Sequence, residues 1–165
     1  MSATELDPGS LSLTELRALR AQLQGEDDAV SYVRRMVQAR LDLARAELRH
    51  RAAGDDDTPI TGELPAILGS QLTGGPARPP RPTEDYSDHP LAQDLEELCR
   101  EAGSTDLPSM TFDELSAYVR DLYEFEQLRS AERKALFGRI DALSAELVRR
   151  YRDGEADVDG LLADD

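Results

Sequence analysis

Apolar residues recur at helical spacing over two long stretches of this chain. Leu16, Leu19 and Leu23 give the first an apolar edge, and Val30, Val33, Val37, Leu41, Ala44 and Leu48 extend it as a stripe. Ser12-x2-Glu15 stands just ahead as a capping box and predicts a helix opening at about Leu13. Gly25 predicts a kink or brief stop, after which the run continues from about Glu26 to Ala53, with Gly54 as a C-terminal cap. A second capping box, Thr111-x2-Glu114, opens a last helix that can reach about Tyr151 and end near Gly154. Its apolar seam is clearest at Leu136, Ile140, Leu143 and Leu147, and Arg129 and Glu132 interrupt it upstream, where looser packing is expected.

Between the two runs, Leu91, Leu95 and Leu98 share one face of a short helix over 89–103. Asp88 is its expected cap, Pro90 lies in its first turn, and Gly103 follows its end. Cys99 adjoins this face and reads as a small apolar core residue. Residues 54–88 read as a disordered linker, because the prolines of GGPARPPRP remove donors and fix φ. One short amphipathic helix is expected within it, around Pro65–Leu72. The chain thus divides into a disordered N-terminus (1–11), a first helical segment (12–53), the linker (54–88), a short helix (89–103), a second helical segment (111–152) and a mobile acidic tail (153–165).

The two helical segments are related. Shifted by 99 positions, the first lies on the second without a gap. Glu15, Leu16 and Leu23 meet Glu114, Leu115 and Leu122; Ser31, Arg34, Arg40 and Asp42 meet Ser130, Arg133, Arg139 and Asp141. Ala46, Glu47, Leu48 and Arg51 meet Ala145, Glu146, Leu147 and Arg150. Two long related helices with a linker between them predict an all-α fold, an antiparallel two-helix coiled-coil hairpin with short accessory helices.

Composition narrows the function classes. Charged residues make up 32% and aromatics 5%, without tryptophan, which suits thin helix-on-helix packing better than a large core. A single cysteine and two histidines exclude a disulfide framework and a zinc cluster, and they suit a reducing cytoplasm. The N-terminal MSATELDPGS is acidic and unlike a signal peptide, and no apolar run is long enough to span a membrane. The net charge of −15 opposes direct DNA binding and favours a basic protein partner. Locally the balance reverses: between Ser31 and Arg51, six arginines face only Asp42 and Glu47, so an anion has a place to bind, shielded from distant acids over roughly 8 Å at physiological salt.

A second stripe, polar rather than apolar, accompanies the seam. Asp27, Ser31, Arg34, Gln38 and Asp42 fall within an arc of roughly 80°, centred roughly 95° from the apolar stripe and spanning about 22 Å. Glu126, Ser130, Arg133, Phe137 and Asp141 occupy the same places in the second segment. These residue types suit a guanine nucleotide. A carboxylate accepts from the N1–H and N2–H of guanine, the Arg fork matches O6 and N7, arginine also stacks on bases and binds phosphate, and Ser and Gln reach phosphate or ribose oxygens. The plainer reading is a solvated face, since Asp and Arg at these intervals usually form surface ion pairs.

The pattern Asp27-x3-Ser31-x2-Arg34-x3-Gln38-x3-Asp42 resembles the signature E-x3-S-x2-R-x3-Q-x3-D of the RsiG family of actinobacterial anti-sigma factors, also described as aerial-mycelium-formation proteins. Two departures stand out: Asp27 replaces Glu, and Phe137 replaces Gln in the second copy. The resemblance implies a signature on each helix of an antiparallel coiled coil and cyclic di-GMP as regulatory ligand. It implies the ten stripe residues as the ligand site and a WhiG-type sporulation sigma factor as the partner sequestered with the nucleotide. Two rivals stand beside it. One is a structural coiled-coil adaptor without nucleotide binding; the other is an enzyme, for which no metal cluster, nucleophile elbow or Walker-type loop offers support.

Overall fold

The computed structural model describes residues 7–54 and 86–154. Most of the assigned linker, the helix expected at Pro65–Leu72, residues 1–6 and the tail beyond Gly154 lie outside the described residues. Helix α1 spans Leu13–Ala53, α2 Pro90–Glu101 and α3 Phe112–Arg152, and 3-10 turns at Pro8–Ser10 and Leu107–Ser109 precede α1 and α3. No strand occurs among the described residues. Neither α1 nor α3, each 41 residues long, is apolar enough to cross a membrane.

Both capping boxes form. The Glu15 N–H donates to Ser12 Oγ at 3.3 Å while its carboxylate accepts from the Ser12 N–H at 2.7 Å. Thr111 and Glu114 make the same exchange at 3.2 and 2.7 Å. These bonds hold both carboxyls below their ordinary range.

Gly25 does not interrupt α1: the helix is continuous through it. A glycine costs roughly 1 kcal/mol against alanine inside a helix. Burying leucines such as Leu16 and Leu23, each about 1.5–3 kcal/mol, outweighs that. The cap of α2 is His89, whose Nδ1 accepts from the Leu91 N–H at 3.2 Å, and not Asp88. Pro90 at the first helical position places the cap on the residue immediately before it. Gly54 and Gly103 end α1 and α2 at φ +68 and +67, where a side chain would be strained.

The described residues form two compact units, 7–28 with 131–154 in one and 29–54 with 86–130 in the other. In the first, the start of α1 packs antiparallel on the end of α3: Arg17 bonds the Tyr151 hydroxyl, and Asp27 lies 3.5 Å from Arg133. Leu16, Leu23, Leu136, Ile140, Leu143 and Leu147 are buried there. The turn Pro8–Ser10 belongs to this unit, so the disorder expected over residues 1–11 does not extend to 7–11. Asp7 Oδ1 caps the turn at 3.0 Å, and Arg150 donates to the carbonyls of Pro8 and Gly9 at 3.3 and 3.1 Å.

In the second unit the rest of α1 packs antiparallel on the start of α3, and α2 covers the pair. Val33, Val37, Leu41 and Ala44 of α1 share a core with Ala92, Leu95 and Cys99 of α2 and with Leu115, Tyr118 and Leu122 of α3. Cys99 is buried as expected, its sulfur 3.3 Å from the Tyr118 hydroxyl, and burial pushes the Tyr118 phenol up to about 12. Arg51 closes this unit: its guanidinium bonds Glu47 at 2.7 Å and donates to the carbonyls of Met110 and Leu107 at 2.6 and 2.7 Å. Within α3, Glu126 is the buried position between Leu122 and Leu136, which is where the seam was expected to loosen.

Candidate functional site

The polar stripe forms a network in each unit, and each is built around a carboxylate and an arginine from opposite helices. In the second unit the carboxylate is Glu126, on α3 and only 8% exposed. Its Oε1 accepts from Arg34 Nη2 at 3.2 Å, Gln38 Nε2 at 3.0 Å and Ser130 Oγ at 2.8 Å. Ser130 Oγ in turn accepts from Arg34 Nε at 2.9 Å. The spacing accounts for the meeting. Arg34 and Gln38 lie one turn apart on α1, as do Glu126 and Ser130 on α3, so two antiparallel helices bring four signature side chains to one point. Burial alone would raise the Glu126 carboxyl, but the bonds from Ser130, Arg34 and Gln38 outweigh it and lower it. The group is held as an anion, an acceptor only.

Asp42 is half-buried one turn beyond Gln38, and Ser31 is half-buried one turn before Arg34. Gln38, Asp42 and Glu126 line a cavity of about 310 Å³ together with Leu41, Arg45 and Tyr123. Tyr123 and Arg45 are not among the residues that the signature picks out. A signal existed: Tyr123 precedes Glu126 by one helical turn and Arg45 follows Asp42 by one, so both extend the stripe at its own spacing. The Arg45 guanidinium carbon sits 5.8 Å from the centroid of the Tyr123 ring.

In the first unit the carboxylate is Asp27 and the arginine is Arg133, with Nε to Oδ1 at 3.5 Å. The 99-position shift relates this pair to Glu126 and Arg34 with the helices exchanged. The Arg133–Asp27 distance is longer than the 3.2 Å of Arg34–Glu126, in line with the shorter reach of Asp. Phe137, where the signature has Gln, is 40% exposed and lies beneath Arg133, whose guanidinium carbon is 4.5 Å from the ring centroid. An amide there would donate or accept; the ring instead gives the cation a flat polarisable face. Asp141 is exposed one turn further along α3.

The structure therefore brings together Arg34, Gln38, Glu126 and Ser130, sets Asp42 beside them, and separately joins Asp27, Arg133 and Phe137. Anionic acceptors beside guanidinium donors can hold a group that carries paired N–H donors next to carbonyl or phosphate oxygens. No group of His, Cys, Asp and Glu among the described residues has metal-binding geometry. A family model described as RsiG-like matches residues 2–68 and 101–164. Comparison with curated proteins gives no match.

Proposed function

The chain belongs to the RsiG-like family, whose membership points to an anti-sigma factor role, and from that premise we propose that it is a cyclic di-GMP-gated anti-sigma factor. Asp42 and Asp141 accept from guanine edges. Arg34 and Arg133 bind guanine or phosphate, and Ser31, Ser130 and Gln38 reach phosphate or ribose oxygens. Asp27 and Glu126 hold the two arginines in position, and Phe137 supports Arg133. The two long helices act as an antiparallel coiled coil whose polar flank is the ligand site. A WhiG-type sporulation sigma factor is the partner, captured in the cytoplasm on a surface that the nucleotide completes. A ligand that binds the complex better than the free proteins tightens the complex by the same factor. A basic sigma-factor surface suits the net charge of −15. The reading is of a regulator, not of an enzyme.

The observation that carries this reading is the carboxylate–arginine pair made twice, Arg34 with Glu126 and Arg133 with Asp27, each joining one copy of the signature to the other. The pair recurs because the 99-position repeat carries both of its members. The test is titration of cyclic di-GMP into the wild-type chain and the Asp141→Ala variant. Asp141 is exposed, so its loss should leave helicity by circular dichroism unchanged. Binding should weaken by about tenfold or more, the usual discrimination of a paired contact to a base edge. Unchanged affinity would remove Asp141 from the ligand site.

A further inference from the structure

The two networks are not equivalent, and the difference lies outside the signature. The second unit has a cavity of about 310 Å³ beside Glu126, near the lower end of the size range of small-molecule pockets. Its walls combine an acceptor for a base edge (Asp42), the bonded carboxylate of Glu126, an amide (Gln38), a guanidinium (Arg45) and an aromatic ring (Tyr123). Tyr123 is 47% exposed, and the Arg45 guanidinium carbon stands 5.8 Å from its ring centroid. The 99-position shift carries Tyr123 to Gln24 and Arg45 to Ser144. Neither counterpart is aromatic or charged, and the Ser144 hydroxyl already donates to the Ile140 carbonyl at 2.7 Å.

We propose that Tyr123 and Arg45 are ligand-contacting residues, and that the cavity they border receives one guanine base of the ligand. The Tyr123 ring stacks on the base while the Asp42 carboxylate accepts from its N1–H and N2–H. Arg45 neutralises a phosphate oxygen attached to the same nucleotide. The first unit lacks this wall, so the base-stacking contact belongs to the second unit's network. This inference rests on the nucleotide-binding reading above and adds to it two ligand-contacting residues outside the signature.

The experiment is calorimetric titration of cyclic di-GMP into the full chain as wild type, Tyr123→Ala, Tyr123→Phe, Arg45→Ala, Gln24→Ala and Asp42→Ala. Tyr123→Ala should weaken binding by about tenfold or more, as loss of one base–aromatic stack does, and Tyr123→Phe should restore it. Arg45→Ala should weaken binding and also flatten its salt dependence, because one phosphate contact is lost. Gln24→Ala, on the counterpart position, should stay within about twofold of wild type, as an ordinary surface change does. If Tyr123→Ala and Arg45→Ala bind as wild type while Asp42→Ala is impaired, this inference is overturned and the signature reading survives. If the wild-type chain takes up no cyclic di-GMP either alone or with a WhiG-type sigma factor, the nucleotide-binding reading fails and this inference falls with it.

Discussion

Glu126 is buried among donors that replace the water it loses, and so it remains charged. Its folded-state pKa lies below the unfolded value. Glu146 is drawn further, to about 2, by hydrogen bonds from Arg149 and Arg150. A carboxyl with a depressed folded pKa contributes stability that is complete above its unfolded pKa, near 4.5 here, and lost as pH falls through the folded one. The melting temperature should therefore be flat from neutral pH to about pH 5 and fall steadily towards pH 2. Glu146→Gln should lower the plateau and shallow the acid decline, which a series of thermal melts across that range would read. An acid limb of unchanged slope in the variant would show that the Glu146 pairs carry no stability. At this scale the sequence was informative about residue type and less so about partners. Spacing placed Arg34, Gln38 and Asp42 on one face of α1, but only the antiparallel register puts Glu126 and Ser130 against them. Tyr123 and Arg45 stayed hidden because an aromatic and a basic residue on a helix flank are common, and only the cavity joins them.

At the scale of elements, the repeat runs further than the stripe and its capping boxes. Asp7-x2-Ser10 and Asp106-x2-Ser109 stand 99 positions apart, and each begins a 3-10 turn that leads into a long helix. Each turn is held by an arginine from the end of the other long helix: Arg150 on Pro8 and Gly9, and Arg51 on Leu107 and Met110. Each arginine is braced by a glutamate one turn earlier, Glu146 or Glu47, at 2.7 Å. The glutamate and arginine repeat was legible in the sequence. The clasp was not, because a carbonyl acceptor leaves no mark on residue identity. The two clasps differ in what their loss exposes. Removing Arg51 strands Glu47, whose side chain is 7% exposed, whereas Glu146 keeps Arg149. Arg51→Ala should cost about 3 kcal/mol, as leaving a buried charge unpaired does. Arg150→Ala should cost about 1.5–2 kcal/mol, as loss of hydrogen bonds from a charged donor does when its carboxylate keeps another partner. Urea unfolding of both variants gives the comparison, and equal losses would contradict it.

The same scale holds the clearest misreading. Gly25 was expected to kink or briefly stop α1; the stop does not occur, because tertiary burial of the flanking leucines exceeds a local propensity cost. A Cβ built at Gly25 meets nothing within 4 Å, so alanine fits without displacement. Gly25→Ala should raise stability by about 0.5–1 kcal/mol. A destabilised variant in the same urea assay would mean that α1 needs the freedom of glycine at this point.

For the molecule as a whole, two compact units hold two versions of one network, and the family match spans both long helices. The fold class was legible because long amphipathic runs with strong caps leave few alternatives to helices packed on helices. The covering role of α2 in one unit was less so, since periodicity shows that a face is apolar and not what it packs against. The central claim is that ligand and partner are linked. It is tested most directly by calorimetric titration of cyclic di-GMP, with GMP as control, into the full chain with and without a WhiG-type sigma factor. Cyclic di-GMP should bind more tightly when the sigma factor is present, and GMP should bind far more weakly in both titrations. Absence of binding heat in both titrations, from a chain shown to be helical, would contradict it and leave a coiled-coil adaptor whose polar stripe is a solvated face.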